Sequence, residues 1–118
     1  MNLPPKLRMM LQRDLVPTAE IPAQYDECFA WISIRRIPEN SPFRQKNPQK
    51  CYLIKRVEIR KVIVERYLQD DVDVLPNDCV VYGQYYAENE DELISKVATW
   101  VSDLENFIEG WKSINPLK

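Results

Sequence analysis

KRVEIRKVIVER, residues 55–66, is the stretch on which the fold turns. Five of its residues are basic, two are acidic and five are β-branched. With CYLI before it and YL after it, it forms a run over residues 51–68 that admits two periods. Helical spacing runs through Leu53, Ile54 and Val57, then Ile59, Val62 and Ile63. Alternation runs through Val57 and Ile59, with Arg56, Glu58 and Arg60 opposite. At Arg60–Lys61 the parity changes, and Val62 and Val64 become the apolar positions, with Lys61 and Glu65 opposite. A one-residue phase slip inside a strand is the signature of a β-bulge, because without it half the apolar side chains would turn to water. The density of Val and Ile favours extended backbone, and no capping residue precedes a helix. The expectation is therefore one long, bent strand, into which Ile63 fits least well.

Working outward, residues 25–37, YDECFAWISIRRI, alternate as a strand with Cys28, Ala30, Ile32 and Ile34 on one face and Phe29 and Trp31 on the other. Residues 38–50, PENSPFRQKNPQK, hold three prolines and no period, and are expected to be a long basic loop. Phe43 within it is placed either to anchor a partner or to fold back on the domain. After residue 68 comes an acidic loop, QDDVDVLPND, without the glycine and distal glutamate of a calcium loop. Residues 79–88, CVVYGQYYAE, make a further strand, with Gly83 marking a bulge or a close backbone approach.

Both ends are expected to be helical. Residues 4–15 place Leu7, Met10, Leu11 and Leu15 on one face behind prolines that suit a first turn. VPTAEIP, between two prolines, follows as an extended link. At the other end Asn89 and Glu92 have capping-box spacing. Leu93, Ile94, Val97, Trp100, Val101, Leu104, Ile108 and Trp111 then continue at helical spacing as one apolar face. The expected class is α+β: an antiparallel sheet of three strands, with room for a fourth, carrying a long C-terminal amphipathic helix on one face and a short N-terminal helix beside it or at an edge. At 118 residues the chain fits one domain, residues 1–118, and is long enough to bury a core without disulfide or metal. The three cysteines lack metal or disulfide spacing, no cofactor motif is present, and no apolar run reaches the roughly 18 residues of a membrane span. The start carries two prolines and mixed charge, unlike a secretion signal, so a reducing cytoplasm is the expected location.

Enzymatic chemistry is not expected. The chain has no histidine, and two glycines cannot supply a phosphate-cradling loop. Cys51, after Lys50, is the one cysteine in a basic setting that could favour a thiolate. What stands out is charge segregation. Residues 35–66 hold ten bases against three acids, a net +7, and residues 67–109 hold one base against eleven acids, a net −10. Such blocks can steer partners, or they can neutralise each other within the fold. The leading expectation is a non-catalytic protein-binding module, of the inhibitor, antitoxin or immunity kind, facing a basic target with Asp70, Asp71, Asp73, Asp78, Glu88, Glu90 and Asp91. The alternative is nucleic-acid binding through Arg35, Arg36, Phe43, Arg44, Lys46, Arg56, Arg60 and Lys61, which an acidic pI of 5.2 disfavours. A third is a homo-oligomeric accessory subunit, joined by strand pairing across a twofold axis or by the Trp100–Trp111 face.

Overall fold

The computed structural model describes residues 2–118. Four strands run β1 (Thr18–Ile21), β2 (Cys28–Arg36), β3 (Tyr52–Arg60) and β4 (Val81–Ala87). They form one antiparallel sheet in chain order. Helix α1 (Pro5–Gln12) precedes β1, α2 (Pro42–Lys46) lies between β2 and β3, α3 (Lys61–Asp70) follows β3, and α4 (Glu90–Val97) follows β4.

The decisive stretch is a strand followed by a helix. β3 ends at Arg60 and α3 begins at Lys61, so the parity change is real but marks a switch of secondary structure, not a bulge. The cause is tertiary. Lys61 N–H donates to Glu27 O at 2.8 Å, which satisfies one of the donors a helix start leaves open even though Arg60 offers no side-chain cap. The helix then turns Val64, with Ile63 and Tyr67, onto Trp31, Val57 and Ile59, while Val62 and Leu68 face water. Ile63, awkward in a strand, is in phase for a helix with Val64 and Tyr67.

The sheet is consequently covered on both faces. On the first, Ala30, Ile32, Ile34 and Ile54 meet Leu7, Met10 and Leu11 of α1 and Leu93, Ile94 and Val97 of α4. On the second, Trp31, Val57 and Ile59 lie under α3 and Val74. Burying side chains of this kind contributes about 1.5–3 kcal/mol each. The extended link between the two prolines contains β1, a fourth strand, its register fixed by Ala19 opposite Ile32 and Ile21 opposite Ala30.

The C-terminal helix is shorter than expected. Asn89 Oδ1 accepts from Glu92 N–H at 2.9 Å and starts α4, but the helix stops at Val97. Beyond it, Asp103 caps a short turn by accepting from Glu105 N–H at 2.9 Å. Val101 and Phe107 still reach the first core, whereas Trp111 is 71% exposed, so no continuous apolar face reaches it. In place of helix, Ile108 bridges Thr18 on β1. Gly110 passes so close to Val16 that a Cβ would lie 2.8 Å from its carbonyl oxygen. Gly83 sits in an unbroken β3–β4 register, and the close approach there is the ring of Tyr85 rather than another backbone.

Candidate functional site

Folding redistributes the two charge blocks. β3 is nine residues long, which separates its ends by roughly 26 Å. Arg35, Arg36, Phe43, Arg44 and Lys46 gather at the end near Tyr52, because Arg36 is paired with Tyr52 and α2 follows closely. Arg60 and Lys61 lie at the other end, opposite Cys28. The acidic residues divide in the same way. Asp73 and Asp78 share a shallow cleft of about 220 Å³ with Arg60 and Arg66. Asp70 and Asp71 end α3 nearby, and Asp78 is held in its turn by accepting from Leu75 N–H at 2.9 Å. Glu88, Glu90 and Asp91 line a cleft of about 560 Å³ together with Glu39, Arg36 and Arg44. Blocks segregated along the chain are therefore brought into shared clefts, where Asp73 and Asp78 meet Arg60 and Arg66, and Glu88, Glu90 and Asp91 meet Arg36 and Arg44. Glu90 is further engaged by Arg8, whose Nη2 and Nε donate to Oε1 at 2.7 and 3.2 Å.

Arg56 does not belong to any exposed basic surface. It is 8% exposed, and Glu58, two residues on and on the same face of β3, is fully buried. Arg56 Nη2 donates to Glu58 Oε2 at 3.2 Å, and Tyr25 N–H donates to Oε1 at 2.9 Å. This ion pair belongs to the interior, so the assignment of Arg56 as a phosphate contact is corrected.

Around Phe43 the basic loop is folded rather than free. Ser41 caps α2 by accepting from Arg44 N–H at 3.2 Å, and Arg44 donates to the carbonyls of Ile37 at 2.9 Å and Pro48 at 3.4 Å. This holds Phe43 against Tyr86, with ring centroids 5.7 Å apart and planes at 26°. Lys50 Nζ stands 4.6 Å from the Tyr86 ring centroid and 5.8 Å from that of Phe43, within cation–π reach. Phe43 remains 40% exposed. Beside the pair is a cleft of about 430 Å³ whose lining includes Leu53, Ile37, Pro38, Arg35 and Arg36. The Lys55 ammonium, on the adjoining part of β3, is pushed to lower pKa by burial and then by Arg35. Tyr52, on the opposite face, has its phenol pushed up by burial and by Glu90. The cluster is thus an aromatic, apolar cleft bordered by Arg35, Arg36 and Asp14, next to a second cleft of mixed charge.

Leu53, Tyr86 and Lys50 are absent from the candidate binding residues read from the sequence. Arg35, Leu53 and Tyr86 form one cross-sheet row, and that row exists only once the β2–β3 and β3–β4 registers are known. The available signal was the pairing of Phe43 in a basic loop with a tyrosine-rich strand.

Cys28 and Cys79 are poorly placed for thiolate chemistry. Burial, then Glu58, raises Cys28, and burial, then Asp78, raises Cys79 to about 11. Cys51 borders the mixed-charge cleft. Among the described residues no helix is long and apolar enough to cross a membrane. Comparison of the chain with family models, with curated proteins and with solved structures finds no match.

Proposed function

We propose that this chain is a non-catalytic protein-binding module, of the inhibitor, antitoxin or immunity kind, and that it meets its partner at the Phe43–Tyr86 end of the sheet. The observation that carries this reading is the half-exposed stacked pair beside an apolar cleft rimmed by Arg35 and Arg36. Aromatic residues and arginine dominate the energetic centres of protein interfaces, where a preformed aromatic anchor costs little conformational entropy. Glu88, Glu90 and Asp91 border the neighbouring cleft and would receive basic groups of the same partner. Asp70, Asp71, Asp73 and Asp78 lie at the far end of the sheet and would take part only with a partner large enough to span it.

Nucleic-acid binding is the second reading, favoured by Lys50 over two rings on which a base could stack. Against it, Glu39, Glu88, Glu90 and Asp91 share a cleft with Arg36 and Arg44 and would repel phosphate.

The test is affinity capture from the source cells with nuclease present, comparing the native chain with Phe43→Ala and with Asp70→Asn/Asp71→Asn. A protein held by the native chain and by the aspartate variant, but weakened about thirtyfold by Phe43→Ala, is the expected result for a hot-spot aromatic. Loss with the aspartate variant alone moves the site to the acidic end. Binding abolished by nuclease supports the nucleic-acid reading.

A further inference from the structure

The two edges of the sheet are treated differently. At β1, Thr18 N–H donates to Ile108 O at 2.8 Å and Ile108 N–H donates back to Thr18 O at 2.9 Å, so the C-terminal segment covers that edge at Thr18, and the exposed, charged Glu20 guards the rest. Beside β4 no backbone segment is paired among the described residues.

The register shows which β4 groups are open. Ile37 N–H donates to Cys51 O, and Lys61 N–H donates to Glu27 O, each at 2.8 Å, at the two ends of the β2–β3 ladder. Antiparallel ladders alternate, so the odd-numbered residues of β3 bond to β2, and Tyr52, Ile54, Arg56 and Glu58 bond to β4. Their partners are Ala87, Tyr85, Gly83 and Val81. The N–H and C=O groups of Tyr82, Gln84 and Tyr86 therefore point out of the sheet. Lys96 Nζ donates to the Tyr86 carbonyl, which keeps a second lone pair.

Exposed edges are ordinarily protected by charge, proline or a bulge, since open strand groups recruit another strand. Residues 79–87, CVVYGQYYA, contain no charged residue and no proline, and the register is unbroken from Val81 to Ala87. Among the described residues the guards are slight: Lys96 at one end and, at the other, an irregularity where Val80 N–H donates to Glu58 O at 2.8 Å although Val81 is the register partner of Glu58. The strand is also complementary to itself. Opposed antiparallel about Gln84, it sets Gln84 against the second copy's Gln84, Tyr82 against Tyr86, Gly83 against Tyr85 and Val81 against Ala87. Each outward-pointing residue then meets another, with both its N–H and its C=O paired. No like charges are brought together, and the Tyr82–Tyr86 contacts are cross-strand aromatic pairs.

We infer that β4 is the interface of a twofold homodimer in which a second copy of this chain extends the sheet across its open edge. The second copy's Tyr82 then lies beside Tyr86, on the face where Tyr86 stacks on Phe43, and each copy completes the aromatic surface of the other.

Sedimentation velocity of the full chain over a concentration series tests this, with Gln84→Lys and Gln84→Pro for comparison. Proline is tolerated on an edge strand where the N–H faces solvent, so Gln84→Pro removes the central pairing while sparing the β3 ladder. Gln84→Lys leaves the backbone intact and opposes two positive charges. The native chain is expected to dimerise, with each variant lowering the association constant about tenfold or more at unchanged far-ultraviolet circular dichroism. Should Gln84→Pro unfold, Gln84→Lys decides. A native chain that stays monomeric at every concentration, forms open-ended aggregates, or dimerises equally well with lysine at residue 84 overturns the inference. Dimerisation is measured without any partner, so this result and the capture result succeed or fail separately.

Discussion

Glu58→Gln is expected to destabilise the protein by about 3–5 kcal/mol, the range for breaking a buried ion pair by removing one partner. Glutamine keeps an acceptor for Tyr25 N–H, so that hydrogen bond survives. What it removes is the countercharge. Arg56, 8% exposed, is left as an uncompensated cation under the sheet, and its Nε already lacks a partner among the described residues. Against a net stability of about 5–15 kcal/mol this is a large fraction of the whole. The double variant Arg56→Met/Glu58→Gln is expected to lie within about 1 kcal/mol of the native chain, because a buried pair repays its own desolvation and little more. Urea unfolding of the native, single and double variants forms the cycle that checks this. A single variant as stable as the native chain would show that Arg56 and Glu58 are not a buried pair.

Val64→Asp is expected to cost about 3 kcal/mol or more, and Val62→Asp to stay within about 0.5 kcal/mol of the native chain. In α3, Val64 is fully buried against Val57, Ile59 and Trp31, whereas Val62 is 46% exposed. Two residues apart, the same substitution therefore gives opposite outcomes. In a strand those two valines share a face, and both changes would be severe. Thermal denaturation of the two variants side by side separates the alternatives.

Legibility differed from element to element, for physical reasons. β2 could be read directly, since Ala30, Ile32 and Ile34 alternate against one core over enough residues to exclude a helical period. The N-terminus of α4 was equally legible in Asn89, because a cap is a local interaction between a side chain and a nearby N–H. β1 was too short, at four residues between two prolines, for any period to show. At residues 61–64 the sequence KVIV satisfies both periods, and intrinsic preference leans toward strand. The choice was made by contacts absent from the local sequence, a carbonyl from Glu27 and the surface of Trp31. The end of α4 failed for the opposite reason. Apolar residues at helical spacing continued past Val97, but Val101 and Phe107 reach the core through turns, and the run was kept by burial rather than by helix. For the candidate site, Phe43, Arg35, Arg36 and Arg44 were visible as a basic loop with an aromatic. Tyr86 and Leu53 were not, because only the register across three strands brings them to Arg35. Charge segregation was visible and its consequence was not, since the cleft that Arg60 and Arg66 share with Asp73 and Asp78 depends on α3 turning back.

That turn is what the remaining architecture rests on. It covers the second face of the sheet, draws the far basic residues to the acidic turn, and leaves the Phe43–Tyr86 end as the exposed aromatic surface. Backbone NMR assignment of residues 52–70 tests it most directly. Cα secondary shifts are expected to be negative from Tyr52 to Arg60 and to turn positive from Lys61 to Asp70, with sequential amide–amide contacts beginning at Lys61. Negative shifts continuing through Val62, Ile63 and Val64, with cross-strand contacts in place of sequential ones, would contradict it.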